Sequence, residues 1–232
     1  MAHLCPNHNT LKRFTPLTPA RICITNLYSA ERRCVERFIE QNFRAAYGAE
    51  ITRHYPSLIS VHDTENNILA ALGFRYAKDE QLFLENYLDA PIEEILSAAY
   101  KQDIPRDIIA ETGNLVSSGQ GASIFLFTAL SAYLANQGMQ INTVTATNLL
   151  SRYFRQLGLK EAVLAKADQS RLRDGGKSWG SYYQQKPKVV AGHIDQVLAR
   201  LHKHLQVVLQ TDTTELHAKL HGRSQTMELL RV

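Results

Sequence analysis

Glu111 stands inside the run Asp107 to Ser117 (DIIAETGNLVS), whose apolar and β-branched character predicts a core strand. A carboxylate on such a strand needs a partner. Arg75, in Leu72-Gly73-Phe74-Arg75, can supply one. A desolvated Glu111 can also accept a proton from an attacking amine, directly or through water. Glu85 has the same two readings, anchor or acid-base group. Gly113 interrupts the strand, and a β-bulge there would leave N–H groups free to hold a carbonyl oxygen. Ser118-Gly119-Gln120-Gly121 then leads into an apolar helix, whose exposed N–H groups and dipole suit a phosphate. Together these features describe a thioester site, with the carbonyl on the bulge and phosphopantetheine or pyrophosphate on the loop. The contacts expected are Leu115, Val116, Ser118, Gly119, Gln120 and Gly121.

Other residue types offer less. Cys5, Cys23 and Cys34 are odd in number and form no CxxC pair, so neither a disulfide framework nor a zinc site is implied. His3, Cys5 and His8 fall in a proline-rich terminus, and the i, i+4 pair His217 and His221 lacks a third ligand. No metal is expected. Trp179, Tyr182 and Tyr183 read as a packed cover over the sheet, with an acyl-pocket lining as the second reading.

The elements that must position these residues alternate along the chain. Ala20 to Thr25 predicts a strand. Ser29 is the expected N-cap of a helix carrying Val35, Phe38, Ile39 and Phe43 and closed by Gly48. Leu58 to Val61 and Ile68 to Tyr76 flank a polar turn, as in a hairpin. Gln81 to Tyr87 is read as extended, and Asp89 as the cap of a helix running to about Lys101. After the core strand come the helix Ala122 to Ala135, a strand at Ile141 to Thr147, a helix opened by Asn148, and a strand within Leu159 to Ala165. Residues 194–209 form an amphipathic stripe. The fold class expected is α/β (α+β): a mixed, mostly antiparallel twisted sheet flanked by helices, with a bulged central strand. Residues 1–19 read as a loose segment, 20–193 as the domain, and 194–232 as a docked helix with a polar tail.

The chain of 232 residues is 44% hydrophobic and 21% charged, which excludes a disordered or collagen-like chain. Its net charge of +4 fits an acidic ligand without requiring nucleic acid. Residues 77–111 hold nine acidic and three basic residues, and residues 151–190 the reverse. The N-terminus has no apolar signal region, and the longest apolar stretch is too short to span a bilayer. A cytoplasmic protein is expected.

The pieces EQNFRAAYGAEITRHYPSLISV, ALGFRYAKDEQLFLENYLDAPIEEIL, ETGNLVSS, TVTATNLLSRYFRQLGL and WGSYYQQKPKVVAG resemble the bacterial thermostable haemolysin family, in order, over about residues 38–193. That family is similar to the acyl-homoserine-lactone (autoinducer) synthases of the GNAT N-acetyltransferase superfamily. The resemblance implies a GNAT-like fold and transfer of an acyl group from acyl-CoA or acyl-phosphopantetheine, a co-substrate rather than a permanent cofactor, to a small-molecule amine. It also implies roles for Arg75, Glu85 and Glu111, which follow the order of the family's Arg, Asp/Glu and Glu motifs, and for the helix-opening Asn148 beside the donor. Two positions depart. Val116 stands where the superfamily's phosphate loop begins with Gln or Arg. Phe154 stands where a tyrosine acid is usual, with Tyr153 expected to face elsewhere. A carrier-protein donor is less affected by these changes, and Arg152, Arg155 and Lys160 offer it a basic docking patch. The alternative implied by the family name is a cytolysin acting on membranes, directly or through its product.

Overall fold

The structure, a computed structural model, describes residues 20–119 and 121–205. The expected loose N-terminus, Gln120, His217, His221 and the polar tail lie outside the described residues.

Among the described residues seven strands form one sheet in the order β1-β2-β3-β4-β5-β7-β6. They are β1 (Arg21–Thr25), β2 (Ser57–His62), β3 (Ile68–Tyr76), β4 (Ile109–Ser117), β5 (Ile141–Ala146), β6 (Ala162–Lys166) and β7 (Lys188–His193). Every neighbouring pair is antiparallel except β4 and β5, which run parallel. This is the mixed, mostly antiparallel sheet expected. The sequence reading missed β7, which enters the sheet between β5 and β6.

Among the described residues five helices flank the sheet: α1 (Arg32–Tyr47), α2 (Ile92–Tyr100), α3 (Ala122–Asn136), α4 (Asn148–Gln156) and α5 (Ile194–Leu205). Side chains alternate between the faces of a strand, so the core clusters sort the helices. Ile109 packs with Ile92 and Leu96 of α2, and Ala71 with Val35, Ile39 and Phe43 of α1. The opposite face buries Leu72, Phe74 and Ala110 against α3 and α5, while Val144 and Ala146 meet Leu150 and Phe154 of α4. Helix α3 is apolar all round because it lies between the sheet and α5, where Leu201 is fully buried.

Three local expectations are corrected and one holds. Ser29 does not cap α1; its hydroxyl accepts from the Asn26 N–H, one turn earlier. Pro91, not Asp89, stands at the N-cap of α2, and Asp89 pairs with Arg171 at 2.7 Å. Asn148 opens α4 as expected and lies exposed, with Thr147 before it capping the helix by accepting from the Leu150 N–H. Gln81 to Tyr87 is not extended: Phe83–Tyr87 is a 3₁₀ turn, stabilised because Glu85 accepts from the Leu82 N–H.

Candidate active site

Strands β4 and β5 pair from Ile109↔Ile141 to Thr112↔Val144 and no further. Beyond that point they splay, because β4 carries an extra residue. On β3 a single residue separates Ala71 from Gly73, whereas their partners Val116 and Gly113 have two between them. The bulge therefore falls at Asn114 and Leu115. Asn114 adopts φ +53°, a conformation asparagine tolerates better than most residues. This corrects the expectation that Gly113 supplies the bulge; its φ is not positive.

A cleft of ≈ 620 Å³ opens in the splay. Asn114 to Ser117 form one wall, and Val144, Thr145 and Thr147 the other. Towards α1 the cleft is closed by rings, among them Phe43, Tyr47, Phe83, Tyr87, Trp179 and Tyr182. These pack edge-on or tilted, with Trp179 5.6 Å from Phe83 and 5.3 Å from Tyr182, centroid to centroid. The Tyr182 hydroxyl donates to the Thr145 carbonyl at 3.1 Å, so the aromatic end is pinned to the free edge of β5. The expected cover over the sheet is thus one wall of the cleft. The other end is lined by Phe127, Leu149, Leu150, Arg152 and Tyr153. Tyr153, expected to face elsewhere, points into the cleft, while Phe154 packs in the core beneath α4. The Thr145 hydroxyl is buried without a hydrogen-bond partner.

Of the donor-binding residues expected, Leu115, Val116 and Gly119 line this cleft. Gly119 and Gly121 take φ +92° and +82°, which a side chain would strain. Ser118 is turned away, its N–H and hydroxyl both donating to the Leu69 carbonyl. Gly121 is the N-cap of α3, and neither it nor Asn148 lines the cleft.

Glu111 is 1% exposed and lies behind the cleft wall. Its carboxylate accepts from the N–H groups of Phe83 at 2.8 Å and Leu84 at 2.9 Å, at the start of the 3₁₀ turn. Arg75 Nε stands 3.2 Å away, within ion-pair range although off hydrogen-bonding geometry, and the same guanidinium reaches Glu80 at 3.2 Å. The fourth partner is the hydroxyl of Tyr55. Burial pushes the Glu111 pKa up to about 7, against the opposing pull of Arg75 and the two N–H groups.

Tyr55 was not foreseen; of Glu111's four partners it and Phe83 line the cleft, and Tyr55 alone of the two meets the carboxylate with its side chain. Gly73 and Gly113, paired across β3 and β4, make its bed. A Cβ on Gly73 would come 2.6 Å from Tyr55 Cβ, and one on Gly113 would overlap the hydroxyl. Arg75 lies 4.3 Å from the ring centroid on a cation–π contact. From α1, buried Arg32 donates to the Tyr55 and Pro56 carbonyls at 2.7 and 2.8 Å. The signal was present as two glycines on neighbouring strands. Only the register shows that they face one ring.

Glu85 is separate from this group. It accepts from the Leu82 and Ile92 N–H groups and from Arg106, which also holds Glu93 at 2.6 Å. Burial pushes its pKa up, but these donors outweigh burial and hold it below the ordinary value. The structure thus brings Arg75 and Glu111 together and sets Glu85 below them, fastening the 3₁₀ turn to α2. Among the described residues no group of three or more His, Cys, Asp or Glu side chains could hold a metal.

The family model for thermostable hemolysin matches residues 26–198. The chain belongs to the thermostable hemolysin family. No curated protein sequence matches it. Solved structures match the hemolysin-family chain in fold. The AHL synthase LasI is 12% identical with a TM-score of 0.53, covering 79% of this chain and 93% of that one. BjaI, a CoA-dependent acyl-homoserine lactone synthase solved with SAM and isopentyl-CoA, is 12% identical with a TM-score of 0.50, over 85% and 99%. FeeM, an N-acyl amino acid synthase from uncultured soil microbes, is 11% identical with a TM-score of 0.51, over 76% and 98%. With the parallel β4–β5 step and the bulge in β4, this likeness bears out the expected GNAT-like architecture.

Proposed function

We propose that the protein is an N-acyltransferase that moves an acyl group from a thioester to a small-molecule amine, in the cytoplasm. The observation that carries this reading is the cleft through the splay of β4 and β5, apolar along most of its length and backed by a buried carboxylate. Free strand edges on both sides suit the amides of a phosphopantetheine arm, with the unpartnered Thr145 hydroxyl as one further hydrogen-bond group. Gly119 and the start of α3 would take its phosphate end, and the bulge N–H groups the thioester carbonyl. Leu115 and Val116 would contact the arm. Ser118, Gly121 and Asn148 would act by shaping the loop and the start of α4. The aromatic end has the form and polarity of an acyl pocket. Titrating near neutrality, Glu111 is suited to accept the amine proton. Arg75 would hold it in place, and Glu85 would fix the 3₁₀ turn that supplies its N–H partners.

Acyl-CoA and acyl carrier protein both present this arm. Arg152 lies at the cleft mouth, Arg155 one turn along the same helix, and Lys160 beyond its end beside a second hollow. None has a side-chain partner among the described residues, which leaves them free for an acidic carrier protein. Because family and fold leave the acceptor open, the test starts from the protein itself. Mass analysis of small molecules co-purifying with it should find an acyl thioester or an N-acyl amine. Decanoyl-CoA and decanoyl carrier protein, offered with proteinogenic amino acids and S-adenosylmethionine, should release thiol together with an N-acyl product. Absence of both bound acyl compounds and transfer would overturn the reading.

A further inference from the structure

Glu111 has no surface of its own in the cleft. Two of its contacts are backbone N–H groups, of Phe83, whose residue borders the cleft, and of Leu84, which does not; a third is Arg75, also outside the cleft lining. Of its four partners, the peptide N–H groups and the guanidinium only donate, whereas the Tyr55 hydroxyl can take a proton from the cleft side and pass its own to the carboxylate. That hydroxyl touches the carboxylate on one side, and its ring borders the cleft beside Gly113 and the Asn114 bulge on the other. Its position is enforced from four directions: Gly73 and Gly113 below, the Arg75 guanidinium on the ring, and Arg32 on its backbone. A side chain needed only to fill space would not require two strand glycines and two arginines to set its hydroxyl.

We propose that Tyr55 is a catalytic residue that relays the acceptor's proton to Glu111. The proposal rests on the acyltransferase reading above. The amine nitrogen attacks the thioester carbonyl carbon, and its proton passes to Tyr55 Oη as the Tyr55 proton passes to the Glu111 carboxylate. The C–N bond forms, the C–S bond breaks, and the thiolate takes a proton from solvent. Glu111 returns its proton to solvent along the same path once the product has left. Tyrosinate never accumulates. Burial beside Glu111 raises the Tyr55 pKa well above its ordinary value, so the two transfers must be concerted. The charged and titratable groups facing this pair are Arg75 and Glu80 behind it, and Tyr182 and Tyr87 across the cleft.

Tyr55→Phe keeps the ring, its glycine bed and the cation–π contact while removing the relay atom. With decanoyl-CoA and the acceptor mixture, it should lower turnover on the order of a hundredfold and leave the KM for decanoyl-CoA unchanged. Since the two groups act as one unit, Tyr55→Phe combined with Glu111→Gln should lose no more than the worse single variant. Two protons in flight should bow the parent's plot of rate against deuterium fraction. A straight parent plot, parental turnover in Tyr55→Phe, or losses that multiply in the double variant would overturn the relay. The parent plot decides the matter even if Tyr55→Phe fails to fold. Absence of any transfer by the parent enzyme would instead overturn the acyltransferase reading on which the relay rests.

Discussion

Titration of Glu111 sets the pH dependence expected of transfer. The base must be ionised, and burial places its pKa at about 7. Turnover at limiting substrate, kcat/KM, should therefore rise with pH through about 7 and level off above it. Glu111→Gln should lower turnover on the order of a hundredfold and flatten that limb; unchanged turnover in a folded variant would remove Glu111 from the mechanism. Stability moves the other way. A carboxyl whose pKa is raised from 4.5 to about 7 on folding contributes stability that is complete below 4.5 and lost as pH rises through 7. The difference in denaturant midpoint between parent and Glu111→Gln should narrow or invert across that window. At Gly113 the constraint is steric. Gly113→Ala forces the new methyl onto the Tyr55 hydroxyl and should cost about 1–3 kcal/mol in stability. Chemical denaturation would read that loss, and transfer should fall with it.

The bulge and the 3₁₀ turn are the elements on which the site depends, and they were unequally visible in the sequence. Glu111 and Arg75 could be paired from their types alone, since a carboxylate on a core strand demands a cation. A bulge was also expected, but glycine drew it to Gly113. Asn114 takes the left-handed conformation instead, and Gly113 is bare for the sake of Tyr55. Tyr55 itself carries no local signal, because its partners come from β3, β4 and α1, far apart in the chain. The same holds for the 3₁₀ turn, whose shape follows from Glu85 and Glu111 taking its N–H groups. Two substitutions test these elements. Asn114→Gly should keep the bulge and the stability, whereas Asn114→Val should cost about 1–2 kcal/mol, because a β-branched residue resists positive φ. Arg106→Met leaves Glu85, 7% exposed, without its main counter-ion and should cost about 2 kcal/mol. Because Glu85 titrates below its ordinary value in the fold, that loss should shrink as pH falls through its folded pKa.

Across the whole molecule, two half-sheets meet along one short parallel ladder and then diverge. Charge is divided too, though less sharply than the sequence suggests. Much of the acidic stretch is neutralised by Arg106 and Arg171, which leaves the α4 cations among those free. Arg152→Glu with Arg155→Glu should slow transfer from a decanoyl carrier protein more than from decanoyl-CoA, and more at low salt than at high. Equal rates for parent and variant with both donors would leave these residues as ordinary solvated surface. No helix among the described residues is long and apolar enough to cross a membrane. Liposome leakage by purified protein, with no thioester present, would favour the cytolysin reading. One feature of the cleft also gives the chain a built-in optical reporter. Its single tryptophan, Trp179, stands half-buried in the aromatic wall. All indole emission therefore comes from that wall. A saturated chain entering the pocket should displace water from the indole and move the emission to shorter wavelength, so acyl affinity could be titrated by fluorescence before any acceptor is known.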